Sequence, residues 1–580
     1  MKTLCISVTI SLCYILYYTG GVKMKHLKKA IAVFVGLLFV LSLVPAAAIA
    51  KAQNDNRDVN YLDSGLYSEA KMTKAEITDL LLNAPSTMIE PVFIDEPSVT
   101  APYATGSVNT DLLSRTTDRL NALRAIAGLK SVTLDAALSE NAQYGAVLLA
   151  ASSFSHYPAQ PSDMDNDFYQ LGLTATSSSN ISAGRILTQT PDGFMDDSDG
   201  GNIPMLGHRR WQLNPAMGKI GFGYVTCDTG YGRYTCEKAH DRSASYGDYD
   251  FISWPSSGNF PNGLIAFGKN TAWSVTLNPN RYSNPVLSDI TVTITREADG
   301  QQFILPGTDS YTAASSGRYL NVNLQGYGVS NCIVFRPEGI DTYSGVYTVH
   351  IDGLKNKSGT PVDFDYQVDF FEPVYSSSDL NEALNVDGGS LDFFTSLSKP
   401  FLTTEYNGRT VGYCENITTA NTVSYVTITL ELNAGDTLSF DYRYYTYSQD
   451  YFKFSVNGTD EISVAGTSGV WKTGSFTAPQ HGSYTFKWSY IKNANVYYPN
   501  AVPVMLDNIK LERAAVDNAG DINSDGVLDF TDVSLLFSYL LNGDTTGITT
   551  EGLQNADLND DGVLSISDIT LMYNLLLGEA

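Results

Sequence analysis

Two twelve-residue segments, repeated at an offset of 36 residues, carry the densest coordination chemistry in the sequence. Asp521, Asn523, Asp525, Asp529 and Asp532 place side-chain oxygens at positions 1, 3, 5, 9 and 12 of the first. Asp557, Asn559, Asp561, Ser565 and Asp568 do the same in the second. Gly526 and Gly562 stand at position 6, where such a loop must turn sharply, and Val527 and Val563 at position 7 each offer a backbone carbonyl. Calcium takes about six to eight oxygens of this kind, so each segment reads as a calcium loop. Residues 517–580 hold twelve acids and no Lys or Arg. Without a cation the clustered carboxylates repel, and the two calcium ions are expected to be folding ligands.

The elements that must position these loops come directly after them. Val533–Leu541 and Ile569–Leu577 are predicted helices, each with an apolar stripe (Leu536, Tyr539, Leu540; Met572, Leu575, Leu576). Asn518-Ala519-Gly520 cannot supply a helix before the first loop. Half EF-hands in tandem, with Asp and not Glu at position 12, resemble the type I dockerin family over 517–580. The resemblance implies a small all-α calcium-binding domain that docks on a cohesin module of a scaffoldin, within a cellulosome or similar extracellular complex. It also implies partner-reading positions at Phe530, Thr531, Phe537 and Ser538 and, in the second copy, at Ile566, Ser567, Tyr573 and Asn574.

The rest of the chain is large and apolar enough for several cores. Its 580 residues suggest roughly four domains, and 43% hydrophobic against 17% charged residues excludes a disordered chain. A net charge of −26 repels phosphate and argues against nucleic acid as a partner. Lys25, Lys28 and Lys29 precede the apolar run Ala30–Val44, and Ala48-Ile49-Ala50 supplies small residues for cleavage. Residues 24–50 therefore read as a signal peptide inside a leader of 1–50, and the protein is expected to be secreted. The leader holds five Lys and no acid, so the exported chain has 31 bases against 62 acids, a net −31. No later apolar run reaches the length of a membrane span. Residues 51–104, polar and Pro-bearing, read as a linker or pro-segment with one short helix opened by the capping-box spacing Thr73-Lys74-Ala75-Glu76. Cys227 and Cys236 flank the turn Asp228-Thr229-Gly230, and a hairpin disulfide between them is expected.

The block 105–270 mixes helical patterns (Leu113, Leu120, Leu123; Leu134, Leu138, Ala142, Leu149) with the tight strand Ile220-Gly221-Phe222-Gly223-Tyr224-Val225. Its segments Leu120-Asn121-Ala122-Leu123-Arg124, Phe154-Ser155-His156, Gly207-His208-Arg209-Arg210 and Leu213-Asn214-Pro215 resemble, in order and spacing, the CAP superfamily, also called SCP-like. That resemblance implies an α-β-α sandwich whose cleft sets two His against two acids. His156 and His208 map onto the histidines. Ser179, in Ser178-Ser179-Asn180, stands where the first Glu belongs, and Asp196 or Asp197 offers the second acid. Two imidazoles and a carboxylate could hold zinc or a similar divalent ion, or the histidines could serve only to cross-link the fold.

Residues 271–372 alternate with period two, as in Ile290, Val292 and Ile294, which predicts an Ig-like β-sandwich. Residues 374–513 are again all β and are similar to carbohydrate-binding or adhesin-like jelly rolls. Tyr442, Tyr444, Tyr445, Tyr447, Tyr451, Trp471, Trp488 and Tyr490 could offer ring faces to sugars there, although period two turns about half of any strand inward. Asp507 and Glu405 are a further candidate calcium pair. The sequence thus reads as a secreted component of a cellulosome-like complex acting in adhesion to, or breakdown of, plant cell-wall polysaccharide. Two alternatives stand beside that reading. One is a hydrolase, either a metal-dependent peptidase at His156, His208 and Asp196 or a glycosidase. The other is a lipid or small-molecule carrier at the CAP cleft. No Gly-x-Ser-x-Gly or His-Glu-x-x-His motif singles out a catalytic site.

Overall fold

A computed structural model describes residues 71–247, 249–263, 267–362, 364–386, 388–414, 416, 421–466, 468–493, 504–514, 519–559 and 561–577. The leader 1–50, with its expected signal peptide, and residues 51–70 lie outside these. The first helix, α1 (Lys74–Leu82), starts at the predicted capping box: Thr73 Oγ1 accepts from the Glu76 N–H at 3.2 Å, and Glu76 accepts from the Thr73 N–H at 2.9 Å. Residues 71–104 are not a loose linker. Ile77 and Leu81 recur at helical spacing and are buried together with Ala84 in the largest core. The pairing of β1 (Phe93–Asp95) with β2 (Ser107–Val108) then ties the segment to the mixed helix and strand block.

Next come α2 (Thr110–Ile126), β3 (Thr133–Leu134), α3 (Ala136–Ala151), α4 (Asn166–Ser177), β4 (Asn180–Ala183), α5 (Thr190–Asp196), α6 (Gly207–Gln212), β5 (Lys219–Ile220), β6 (Phe222–Thr226) and β7 (Arg233–Glu237). β4, β7 and β6 form a three-stranded antiparallel sheet in that order. Helix α3 lies so close to one face that a Cβ on Gly223 would meet the Ala142 backbone at 2.2 Å, which is why β6 carries glycine there. Phe222 and Tyr224 point to the other face and pack in one core with Leu112 and Leu120 of α2. Helices thus cover both faces of the sheet.

The β-sandwich begins earlier than the sequence suggests, at about residue 250 and not 271, because β8 (Phe251–Trp254) and β9 (Gly258–Pro261) are two of its strands. The others are β10 (Trp273–Leu277), β11 (Thr291–Arg296), β12 (Gln301–Pro306), β13 (Tyr319–Asn323), β14 (Cys332–Arg336), β15 (Gly345–Asp352) and β16 (Asp365–Phe371). They make a four-stranded sheet, β13-β14-β10-β8, and a five-stranded sheet, β12-β11-β15-β16-β9. The parallel pairing of β9 with β16 departs from the all-antiparallel Ig-like arrangement expected. Both sheets share one core with α1 and α2, since Ala122, Leu123 and Ile126 pack in the same cluster as Trp273, Val292, Phe335 and Phe370.

Three buried arginines bind the helical block to this sandwich. Arg209, in α6, donates to the carbonyls of Met195 (2.6 Å), Asp196 (2.7 Å) and Ala272 (2.7 Å) and to Ser274 Oγ (3.1 Å). Arg210 reaches Asn323 Oδ1 at 2.8 Å, and Arg336 reaches the Asn270 carbonyl at 3.0 Å and that of Ser198 at 3.5 Å. A buried guanidinium is stabilised by acceptors for its donors; here the acceptors come from both sides of the junction, and of the three only Arg210 leaves a donor, its Nε, without one.

After β17 (Val374–Tyr375) and α7 (Ser378–Leu384) comes a second sandwich of β18 (Phe394–Ser396), β19 (Phe401–Tyr406), β20 (Arg409–Cys414), β21 (Thr422–Leu432), β22 (Thr437–Tyr444), β23 (Tyr451–Val456), β24 (Thr459–Ala465), β25 (Lys472–Thr477), β26 (Gly482–Lys492) and β27 (Val504–Glu512). Its sheets run β17-β18-β21-β26-β23-β24 and β19-β20-β27-β22-β25. Strand β22 buries every second residue, Leu438, Phe440, Tyr442 and Tyr444, against Trp488 and Phe454 of the facing sheet. The C-terminal unit is all helical: α8 (Phe530–Asn542), α9 (Thr550–Asn555) and α10 (Ile566–Leu577) enclose Ile522, Leu536, Ala556 and Met572. The apolar pattern of the sequence does not announce α9. Its Gly552 lies against the Ile522 carbonyl, where a Cβ would come within 1.8 Å.

Candidate functional site

The helical block gathers three histidines. His208 follows the left-handed Leu206 (φ 46°) at the start of α6. Its Nδ1 faces Asp197 Oδ1 at 2.7 Å, and its backbone N–H donates to Asp197 Oδ2 at 3.0 Å. Asp196, the acid of the expected peptidase set, instead accepts from Thr271 Oγ1 at 2.9 Å; the left-handed Asp197 (φ 43°) swings its own carboxylate to the imidazole. The partner of His208 is therefore Asp197. Burial acts to lower the pKa of His208, but the charge and hydrogen bond of Asp197, with the charges of Glu237 and Asp199, outweigh it and leave the net shift upward. His156 Nδ1 lies 2.8 Å from the Thr176 carbonyl, and Thr176 Oγ1 donates to the His156 carbonyl at 3.1 Å, which pins the His156 loop to the end of α4.

Two further residues of this site are not legible in the sequence. Glu237, fully buried at the end of β7, accepts from Asn180 Nδ2 at 3.0 Å and from Gln212 Nε2 at 3.0 and 3.2 Å. Burial pushes its pKa up to about 7, against these hydrogen bonds and the charge of His208. An acid on a strand that is otherwise buried was the available signal. His240 stacks on Trp211 at 4.0 Å, with Arg242 over the same indole at 5.3 Å. Its pKa falls to about 4 through burial first, then through Lys238, His156, Arg242 and His208; three imidazoles thus share one electrostatic neighbourhood. Ser179 is buried and its hydroxyl has no hydrogen-bond partner.

These residues do not fit the zinc centre expected of the cleft. The Asp197 carboxylate is committed to His208 and its backbone, and Glu237 is held behind by two amides. Near His156 and His208 no three described His, Cys, Asp or Glu side chains group around a metal position. The hairpin disulfide fails as well, and all four described cysteines are free. Cys236 pairs with Gly223, whereas the Cys227 N–H bonds the Gly232 carbonyl at the hairpin end. Four residues of strand separate Cys236 from that rung, about 13 Å, roughly twice what a disulfide spans.

The C-terminal loops repeat their geometry. Asp532 Oδ1 accepts from the Ile522 N–H at 3.1 Å and Asp568 Oδ1 from the Leu558 N–H at 3.0 Å. Asp521 Oδ2 accepts from Gly526 at 2.9 Å and Asp557 Oδ2 from Gly562 at 2.8 Å. Asp532 and Asp568 are fully buried and Asp521 nearly so, in a unit without a basic residue. Buried carboxylates without a basic partner fit a hard cation bound through carboxylate, amide, hydroxyl and carbonyl oxygens together. Asn523, Asp525, Val527, Asp529, Asn559, Asp561, Val563 and Ser565 complete the two oxygen sets. On the helices, Phe530 is 59% exposed, Phe537 51%, Ile566 65% and Tyr573 44%, and Phe530 meets Tyr573 edge-on at 5.7 Å. They form an apolar face that the small core does not use.

In the second sandwich Tyr442, Tyr444, Trp488 and Tyr490 are core residues and not a sugar platform. Tyr445, Tyr447, Tyr451 and Trp471 are half-buried. Glu405 and Asp507 do not form a calcium pair: Asp507 is ion-paired with Arg409, and Glu405 accepts from Thr410 Oγ1 at 2.6 Å.

A helix-covered sheet carrying His156 and His208, joined to β-sandwiches and ending in paired acidic loops with exit helices, defines a modular protein. Residues 117–238 match the cysteine-rich secretory protein family, CAP, and residues 519–577 match the dockerin type I domain. The chain carries a CAP domain and a C-terminal type I dockerin. No curated protein matches it. Among solved structures it is similar to the secreted serine protease VesC from Vibrio cholerae (10% identity, 49% of this chain and 56% of that one, TM-score 0.22). It is also similar to TmCBM61 in complex with β-1,4-galactotriose (12%, 24% and 87%, TM-score 0.14). A third is the CBM22-1-CBM22-2 tandem of Paenibacillus barcinonensis Xyn10C (10%, 51% and 91%, TM-score 0.17). The chain spans just over half the length of VesC, and likeness this slight assigns no fold. No helix among the described residues is long and apolar enough to cross a membrane.

Proposed function

We propose that this protein is a secreted component of a cellulosome-like complex, held on a scaffoldin cohesin by its calcium-loaded dockerin, with its CAP and β-sandwich modules engaged on plant polysaccharide. One observation carries the docking reading: a unit with buried, unneutralised carboxylates in both loops also holds Phe530, Phe537, Ile566 and Tyr573 exposed on its helices. Calcium would be held by the two oxygen sets named above and supplies the positive charge that lets those helices pack. The chain's own part is then to present Phe530, Thr531, Phe537 and Ser538, or Ile566, Ser567, Tyr573 and Asn574, to the partner. Capture on a panel of immobilised cohesins tests this. Binding should vanish in EDTA and fall at least tenfold in Phe537→Asp or Tyr573→Asp, and full capture by both variants would refute it.

A second reading, hydrolysis at the CAP cleft, draws on the His208–Asp197 pair. Asp197 orients the imidazole and raises its proton affinity, which suits His208 to take up a proton as a base in its neutral form and return it as an acid. Glu237 is too deeply buried to touch a substrate and acts on His208 only through its charge. Turnover of a peptide or glycan substrate that disappears in His208→Ala and in Asp197→Asn would establish this activity, and equal turnover in both variants would exclude it.

A further inference from the structure

In a chain of net charge −26 the CAP cleft gathers basic groups, among them three of the six histidines. Residues 176–180, from the end of α4 to the start of β4, tie them together. Thr176 is bonded to His156 twice, at 2.8 and 3.1 Å, Ser178 Oγ accepts from Lys238 Nζ at 2.7 Å, and Asn180 Nδ2 donates to the His208 carbonyl at 3.3 Å. Trp211 stands about one turn beyond His208 on α6, and both His240 and Arg242 lie against its indole. The leading charges that act on His240 are those of Lys238, His156, Arg242 and His208, all of one sign. The neighbouring acids are engaged elsewhere. Asp197 is committed to His208 and its backbone, and Glu237 is held by two amides. Asp241 turns its Oδ2 to the N–H groups of Gly218, Lys219 and Ser243 at 2.8, 2.9 and 3.1 Å. Among the described residues Lys238 and Arg242 donate only to hydroxyls, those of Ser178 and, at 3.2 Å, of Tyr246.

We infer that this cleft binds an anionic ligand through its carboxylate groups, supplied either by the uronate units of an acidic polysaccharide or by a free organic acid. Groups of one sign lining a cleft focus their field on a ligand of the other. An ammonium, a guanidinium and imidazoles each form charge-assisted hydrogen bonds to carboxylate oxygens. The donors come from three elements, the loop after α3, α6 and the segment after β7, and so stand at separate points, which suits singly charged groups spread along a ligand. A neutral occupant would leave Lys238 and Arg242 without a charge partner, and a cation would be repelled. The inference requires neither a bound metal nor turnover at His208.

The test is calorimetric titration of residues 51–580, in metal-free buffer at about 20 mM NaCl, with trigalacturonate, its fully methyl-esterified form and citrate. At least one of the two acids should bind, and the ester should not. Affinity should fall about fivefold or more when NaCl is raised to about 200 mM, because salt screens exposed charges. Lys238→Gln and Arg242→Gln should each weaken binding by about two- to fivefold, the worth of one partly exposed ion pair. Arg233→Gln, at the far end of β7 from Lys238, should not. Arg242 is exposed, so its variant decides even if Lys238→Gln unfolds. Binding of trigalacturonate without citrate assigns the site to an acidic glycan, and the reverse assigns it to a free organic acid. Only the glycan arm rests on the polysaccharide reading above, and cohesin capture in calcium should be unchanged in all three variants, so failure of this site and failure of docking are read separately. Three outcomes would overturn the inference: no binding of either acid, equal binding of the ester, or equal losses in Arg233→Gln and Arg242→Gln.

Discussion

Replacing Arg209 by Met keeps the apolar stem and removes all of that residue's donors at the junction between the CAP domain and the first sandwich. Four acceptors lose a charged donor: the carbonyls of Met195, Asp196 and Ala272, and Ser274 Oγ. Hydrogen bonds from a charged donor contribute about 1.5–3 kcal/mol each, so the gross loss is on the order of 6–12 kcal/mol. Removing a fully buried guanidinium also lifts its desolvation penalty, which acts strongly enough here to bring its pKa down to about 10. The net loss expected on breaking such a buried set is about 3–5 kcal/mol. For a cooperative unit of roughly 300 residues, 4 kcal/mol lowers the melting temperature by about 6 °C. Differential scanning calorimetry of residues 51–580 would show it, with Arg242→Met, an exposed cation on Trp211, as a control expected to stay within about 0.5 kcal/mol. Because Arg209 also holds the carbonyls of Met195 and Asp196, the pKa of His208 should fall as Asp197 loosens, read by NMR titration. Equal melting temperatures for the two variants, with His208 unmoved, would refute the claim that CAP domain and sandwich are one interlocked body.

Calcium titration of residues 51–580 should give two sites with a gain of far-UV helicity, and Asp521→Ala should leave one; a chain whose helicity ignores EDTA would contradict calcium-linked folding. The folded pKa of His240, about 4, lies below its ordinary value of 6.5, so its contribution is present above about pH 6.5 and is lost as pH falls toward 4. The size is on the order of 2–3 kcal/mol. Glu237 runs the other way, its pKa rising from 4.5 to about 7, with its contribution complete below pH 4.5 and lost as pH rises through 7. Urea denaturation at pH 7.5 and 4.5 should show a smaller acid loss in His240→Gln than in the parent, and an unchanged loss would remove His240 from the account. Thiol titration with a disulfide-exchange reagent should find four thiols in denatured residues 51–580 and only the half-buried Cys227 reacting quickly in the native protein; two thiols would mean that Cys227 and Cys236 are bridged after all.

Local features of this protein are written in the order of its residues. A dockerin repeat is a fixed spacing of oxygens around an obligatory turn, so the family of residues 519–577 was readable without coordinates, as were the capping box at Thr73 and the period-two strands of both sandwiches. Contacts between distant segments were not readable. Nothing in a single acidic pair says that Asp197 and not Asp196 meets His208, because the choice rests on one left-handed residue. Glu237 and His240 joined the cleft only when β7 and the segment after it folded against α6. Burial of Tyr442 and Trp488, exposure of Phe154 and Tyr231, and the reach of Arg209 to Ala272 across 63 residues of chain depend on which faces the sheets turn toward one another. Side-chain alternation dictates that two faces exist, and only packing decides which one is wet.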